Sequence, residues 1–454
     1  MKPLYPALLS LLAGVLPAAG QGASTTPSLE TATPVTVAEL SETPELTLSK
    51  RPPLGWLSDP KEPPNDIFDA LVSGKIHFDN NFRVEFADST ARNSSTAITN
   101  RLRLGYETKP FYGFNGFVEM ENVATPAEDN YFVPATGGGT SDRTVVADPP
   151  GTEVNQAFGR LKVDSLGNTG ILFDLKAGRQ RIKLDDDRFV GNVGWRQFEQ
   201  TYDSVSVRTD FGVEGLSFFY AYVWGVQRIF GPDGPNPDSD SHFLNLSYRV
   251  APELKVTPFA YLLDFEDDDP LNSSNSFGVR LTGDLWRDAD DSADVYADYE
   301  LTYARQVDAG SNPVDYEADF FAVQVRVTKK SVGDMLAGYQ LLGSDDGNFG
   351  FRFPLGTNHV FQGFDDLFLV TPNEGLQDLY AGIGADLPHG IKAAFIFHQF
   401  WSDEGGTNLG SEYDMVASKQ ITAYWSILAK AAFFDGHNGQ PDVSRVWLQT
   451  TFKF

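Results

Sequence analysis

Basic residues two apart are the first chemical signal in this chain. Arg101 and Arg103, and again Arg160 and Lys162, are spaced so that both members point the same way in an extended strand. Arg83, Arg208, Arg249, Arg280, Arg326, Lys430 and Arg445 lie in segments of the same texture. Rings of such groups select anions electrostatically at close quarters. Acids on the same strand faces (Glu85, Glu119, Asp284, Asp294, Asp298 and Glu300) offer the opposite reading, a merely neutralised interior. A denser set runs through Gly178–Asp203, where Arg179, Arg181, Arg188 and Arg196 surround Asp185–Asp187. This segment reads as a loop folded into a pore to form a constriction, its guanidinium forks anchored on carboxylates. A loop that only holds its own shape is the plainer alternative. The constriction candidates are therefore these pore-facing bases together with Arg179 and Arg188.

Other chemistries find little support. The acid triplets are hard-oxygen donors without the spacing of a calcium loop. The six histidines, at 77, 242, 359, 389, 398 and 437, are scattered, and neither GxSxG nor HExxH occurs. There is no cysteine, which removes disulfides, thiolate metal sites and cysteine nucleophiles together. No cofactor, metal or catalysis is expected. A net charge of −27 excludes a nucleic-acid binder with a dominant basic face.

The elements that must position these bases are strands. From about Lys75, Ile76, Phe78, Phe82, Val84 and Phe86 alternate with His77, Asp79, Asn81, Arg83 and Glu85. Such segments recur over 75–87, 97–108, 111–122, 153–165, 170–182, 197–210, 213–226, 241–250 and 253–264. They continue over 274–287, 293–306, 316–329, 333–342, 376–387, 390–401, 410–419, 421–434 and 442–454. Many run to spanning-strand length, longer than the usual strand of a soluble sheet. Aromatics gather toward strand ends, as Tyr220, Tyr222, Trp224, Tyr303 and Trp425 do. Tight links such as Lys109–Pro110, Leu166–Thr169, Ala251–Pro252, Asp288–Asp291 and Pro388–His389 alternate with longer ones, including 123–152, 183–196 and 343–375. The last of these carries FQGFDDLFLVTP and reads as a plug or a lid. The pattern predicts an all-β transmembrane antiparallel barrel of about 18 strands over 75–454, with short periplasmic turns and long extracellular loops.

The flanks agree. Lys2, the apolar run Ala7–Leu16 and the small residues Ala18–Gly20 read as a signal peptide over 1–23, too short to span as a helix. Residues 24–74, rich in Pro, Thr, Glu and Ser, read as a disordered or extended periplasmic segment. The ending WLQTTFKF alternates into Phe454, which suits recognition by a barrel-assembly machinery. Localisation in the outer membrane of a Gram-negative cell follows, with lipid and lipopolysaccharide as surroundings.

Three stretches, Arg101–Glu121, EVNQAF with Gly178–Asp203, and Phe361–Tyr380, together with the WLQTTFKF ending, resemble the alginate export family of outer-membrane channels. The resemblance covers most of the chain after residue 75. It implies an 18-stranded barrel and passive passage of an anionic solute, including a uronate polysaccharide, through a basic lumen. This sequence departs in charge, with 62 acids against 35 bases. A porin of other selectivity, or a non-conducting receptor or structural barrel, is the alternative.

Overall fold

The computed structural model describes residues 64–286 and 294–454. The expected signal peptide, most of the Pro/Thr-rich segment and the Asp288–Asp291 turn lie outside the described residues. Eighteen strands form one antiparallel sheet that closes on itself. They are β1 (Lys75–Ser89), β2 (Arg92–Glu107), β3 (Phe114–Ala124), β4 (Gly151–Val163), β5 (Phe173–Gln180), β6 (Thr201–Thr209), β7 (Leu216–Gln227), β8 (Asp238–Ala251) and β9 (Leu254–Leu263). The second half is β10 (Ser274–Trp286), β11 (Val295–Asp308), β12 (Glu317–Lys329), β13 (Gly333–Leu342), β14 (Leu376–Leu387), β15 (Ile391–Trp401), β16 (Asn408–Thr422), β17 (Trp425–Gly436) and β18 (Val443–Lys453). Each strand pairs with its sequence neighbours, and β18 pairs with β1 from Asp79↔Lys453 to Ser89↔Val443. Closure leaves no edge of unpaired backbone, a requirement in lipid.

Burial is inside-out relative to a soluble protein. On β1 Phe82 and Phe86 are exposed while Asn81, Arg83 and Glu85 are buried, and on β18 Leu448 is exposed while Gln449 is buried. The period-2 alternation therefore places apolar side chains on the lipid side and polar ones in the lumen. A bulge at Asn155 in β4 re-aims the parity, so that Gln156 and then Arg160 and Lys162 also face inward.

At the rim bearing both ends of the described chain the links are short, down to two residues at 252–253 and 423–424. At the opposite rim lie L2 (125–150), L3 (181–200) and L7 (343–375). Two details depart from the sequence expectation. The first link at this rim is only Thr90–Ala91, because β2 starts at Arg92 rather than near 97. Residues Ile67–Val72, expected to be disordered or extended, form a single-turn helix, α1, whose Asp66 side chain accepts from the Asp69 N–H.

The core sits inside the barrel. L3 and L7 join through a parallel bridge at Val190↔Leu355, and the Gly191 N–H donates to the Leu355 carbonyl at 2.9 Å. Phe351, Phe353, Leu355 and Phe368 of L7 pack with Leu184 and Val190 of L3 and with wall residues Phe243, Phe259, Phe320 and Phe400. A second cluster sets Trp195 of L3 and Phe364 of L7 against Trp447, Val416 and Ile396 of the wall. L7 reaches β16 closely at Gly363, whose positive φ and missing side chain matter: a Cβ there would stand 2.3 Å from Glu412.

Candidate functional site: a basic lumen wall

The lumen divides into a neutralised half and a half with uncompensated bases. In the first, every guanidinium finds a carboxylate. Arg83 of β1 approaches Asp148 of L2 at 3.3 Å, donates to the Trp195 carbonyl at 2.5 Å and lies over the Trp195 ring. Arg101 pairs with Asp79 at 2.6 Å, and Arg103 with Glu121 at 2.5 Å and Glu199 at 3.6 Å. Arg181 of L3 binds Glu199, and Arg196 binds Asp366 of L7 while reaching Glu85 at 3.4 Å. Arg445 of β18 meets Glu85 at 3.0 Å and Asp365 at 3.8 Å. Lys430 sits among Trp195, Phe364 and Trp447, its Nζ 2.5 Å from His359 Nε2. Breaking one such buried pair costs about 3–5 kcal/mol, because it strands the other charge. Apart from Arg101, which ties β2 to β1, these bases fasten the loops to the wall.

The loop groups carry the electrostatic signature of this network. Burial would raise the Glu199 carboxyl, but Arg103 and Arg181 outweigh it and hold it well below its usual range. Burial would raise Asp366 too, but the hydrogen bond from His359 and the charge of Arg196 hold it low. Burial brings His359 down to about 3 in spite of Asp366, so its ring is neutral at pH 7.

The other half spans β4 to β12. Arg160 pairs with Asp174 at 2.6 Å and Lys162 with Asp164 at 3.1 Å, and Arg280 has Glu300 at 2.7 Å and Asp186 at 3.6 Å. Among the described residues no carboxylate stands within ion-pair distance of Lys176, Arg208, Arg249, Lys255, Arg326 or Arg188. Register sets like charges side by side: Arg160 is directly opposite Lys176, and Arg249 directly opposite Lys255. Facing like charges on adjacent strands are destabilising. A cavity of about 260 Å³ is lined here by Lys176, Arg181, Lys183 and Arg208 with Gln156 and Asp174.

Deeper, between L3, L7 and the wall of β9 to β15, lies a cavity of about 170 Å³. Arg188, Arg280 and Arg326 line it with Asp185, Asp186, Glu300, Gln324, Gln340, Tyr380 and His398, and with the rings of Phe189, Phe259 and Phe361. Arg188 donates to Gln362 at 2.7 Å and Gln340 at 3.0 Å and lies 4.0 Å over Phe353, while its Nε has no partner. Burial brings its guanidinium down to about 9, still charged at neutral pH. Arg326 Nη1 is likewise buried without a partner.

The sequence-predicted bases thus separate into three groups. Arg83, Arg103, Lys430 and Arg445 face inward and are spent on holding loops, while Arg101 faces inward and pairs with Asp79 of the neighbouring strand. Arg160, Lys162, Arg188, Arg208, Arg249, Arg280 and Arg326 also face the interior, on the less compensated side. Arg179 is a correction: it stands on the outer face, in a two-pronged pair with Asp203 at 2.8 and 2.9 Å, and it donates to the Val154 carbonyl. Gln180 and Ser206 are the inward residues there, so parity carries Arg179 to the lipid side. The Asp185–Asp187 contacts were also expected to fall on Arg179 and Arg181; instead Asp186 faces Arg280 and Asp187 faces Lys183. Lys176 and Lys255 were missed, although each shares its strand parity with the inward Asp174 and Thr257 respectively.

No protein-family profile matches the chain, and no curated protein matches its sequence. The fold does have solved counterparts. OccAB4 of Acinetobacter baumannii superposes with a TM-score of 0.63 at 12% identity, covering 84% of this chain and 98% of that one. OccAB2 of the same organism gives 0.62 at 15% identity over 84% and 98%. OccK11 (OpdR) of Pseudomonas aeruginosa gives 0.61 at 14% identity over 88% and 99%. These comparisons do not show the alginate export resemblance. The chain shares the closed 18-stranded antiparallel β-barrel fold of these Occ and Opd outer-membrane porins.

Proposed function

We propose that the protein is a passive channel for small anionic solutes, drawn along the β4–β10 wall. One observation carries this reading: Arg160–Lys176 and Arg249–Lys255 are like-charge cross-strand neighbours, an arrangement that costs stability and serves no loop. A solute carboxylate or phosphate would relieve that repulsion and accept charge-assisted hydrogen bonds. The acidic overall charge bears little on this, since exposed charges beyond about 10 Å are screened at 0.1 M salt. The sequence likeness to alginate exporters supports an anionic cargo. The space between L3, L7 and the wall suits a small solute better than a uronate polymer.

Planar-bilayer recordings in a salt gradient test the reading. The native channel is expected to prefer anions, and Lys176→Gln with Arg208→Gln should reduce that preference several-fold while conductance persists. Cation selectivity of the native channel would overturn it, and silence from correctly folded protein would favour a receptor. Block by oligouronates that disappears in the double variant would restore the polysaccharide cargo.

A further inference from the structure

The lipid-facing surface ends, near the start of β1, in a helix rather than a strand. Tyr106 of β2 has the outward parity of Leu104, which is exposed, and it is paired with Ile76 and Val118 on that same face. Its hydroxyl donates to the Leu71 carbonyl at 2.6 Å and accepts the Gly74 N–H at 2.8 Å. Residues 71–74 therefore cross the outside of the wall over the tip of this ring. Gly74 is fitted to the crossing, because a Cβ there would come within 2.6 Å of the Tyr106 ring. The Lys109 N–H donates to the Ala70 carbonyl at 3.0 Å, which ties α1 to the β2–β3 turn.

Of the helix side chains only Ala70 is buried. Ile67, Phe68, Leu71 and Val72 are 54%, 74%, 50% and 79% exposed, and Tyr112 and Phe114 at the same rim are exposed too. Among the described residues nothing covers them. A soluble surface rarely leaves so much contiguous apolar area bare. This patch adjoins the outward-facing Tyr106 and shares its rim with the exposed rings of Tyr112 and Phe114, where barrels in lipid carry an aromatic girdle.

We infer that α1 is an interfacial anchor whose Ile67, Phe68, Leu71 and Val72 insert among the phospholipid acyl chains of the periplasmic leaflet. The helix carries no basic residue, so the attraction is apolar insertion rather than pairing with anionic headgroups. Its two acids are turned to local work. Asp66 caps the helix, and Asp69 accepts from Ser73 and Asn65.

The absence of native cysteine makes the test clean. A nitroxide is attached at Phe68→Cys, Val72→Cys or, as a control, Asp66→Cys in the full-length barrel reconstituted in phosphatidylethanolamine–phosphatidylglycerol vesicles. Collision with oxygen is then compared with collision with a water-soluble nickel chelate. The expected result is an oxygen-to-nickel ratio several-fold higher at positions 68 and 72 than at 66. Equal, water-like ratios at all three positions would overturn the inference. So would a label shielded from both agents, which would mean that protein covers the patch. Phe68→Asp with Val72→Asp is expected to shift a Leu71→Cys label toward water while heat-modifiability and conductance stay unchanged. No shift in that label would also overturn it.

Discussion

Among single residues, Asp365 and His359 in L7 show how the interior couples to pH. Burial pushes the Asp365 carboxyl up to about 8, with Asp414 and Asp366 adding to it against Arg445, and neither of its oxygens accepts a hydrogen bond. A free Asp titrates near 3.9. The folded loop therefore holds a proton that the released loop gives up, and docking weakens as pH rises from about 4 to 8. His359, lowered to about 3 by burial, has the opposite slope: the released loop takes up the proton below about 6.5, so docking strengthens with pH up to that point. The two oppose each other between about 4 and 6.5, and of the two only the Asp365 slope continues above. Protease nicking within L7 of the folded barrel is expected to quicken between pH 6.5 and 8, and Asp365→Asn should flatten that rise. A rate independent of pH in the native protein would refute the coupling. Arg83 and Arg445 are buried on the inward face that strand parity gives them. The division of labour among the inward bases was not legible, because the partners Asp148, Glu199 and Asp366 come from loops whose fold no local pattern specifies.

For the elements, legibility was high where the period was two. The strand over 333–342 and the strand over 376–387 match the alternation to the residue. It failed where a local contact overrode composition. Short α1 formed on an Asp66 cap inside a Pro-rich stretch, and Arg179 was assigned to the lumen across a parity the sequence could not anchor. L7 is too long for a bare connection, and it supplies more of the internal core than L3 does. Its removal is a direct test of that role. Leu342 and Leu376 are directly paired, so a four-residue turn replacing 344–374 can close β13 onto β14 without moving the wall. Single-channel conductance is expected to rise several-fold, with strand content and heat-modifiability retained. Unchanged conductance would show that L7 does not limit the path.

At the level of the whole molecule, the barrel is stable because two different solvents meet opposite faces of every strand. Leu448 and Gln449 are neighbours on β18, one exposed to lipid and the other buried inside. Leu448→Arg, near the middle of the strand, is expected to cost roughly 2–4 kcal/mol in urea unfolding from vesicles, the price of a cation at the bilayer midplane. Equal cost on transfer to a loop position such as Leu369 would deny that this face meets lipid.

The bonds across the seam have a consequence for assembly. Arg83 on β1 donates to Gln449 on β18 at 2.8 Å, and Arg445 on β18 reaches Glu85 on β1, pairs separated by 366 and 360 residues. The same Glu85 is contacted by Arg196 of L3, while Arg445 touches Asp365 of L7. Neither loop can complete its anchorage until the first and last strands have met, and loop-closure entropy makes that meeting late. Ring closure and plug insertion are therefore a single cooperative event. An unclosed sheet would leave Trp195 of L3 and Phe364 of L7 without Trp447 of β18, a bare aromatic face prone to aggregation.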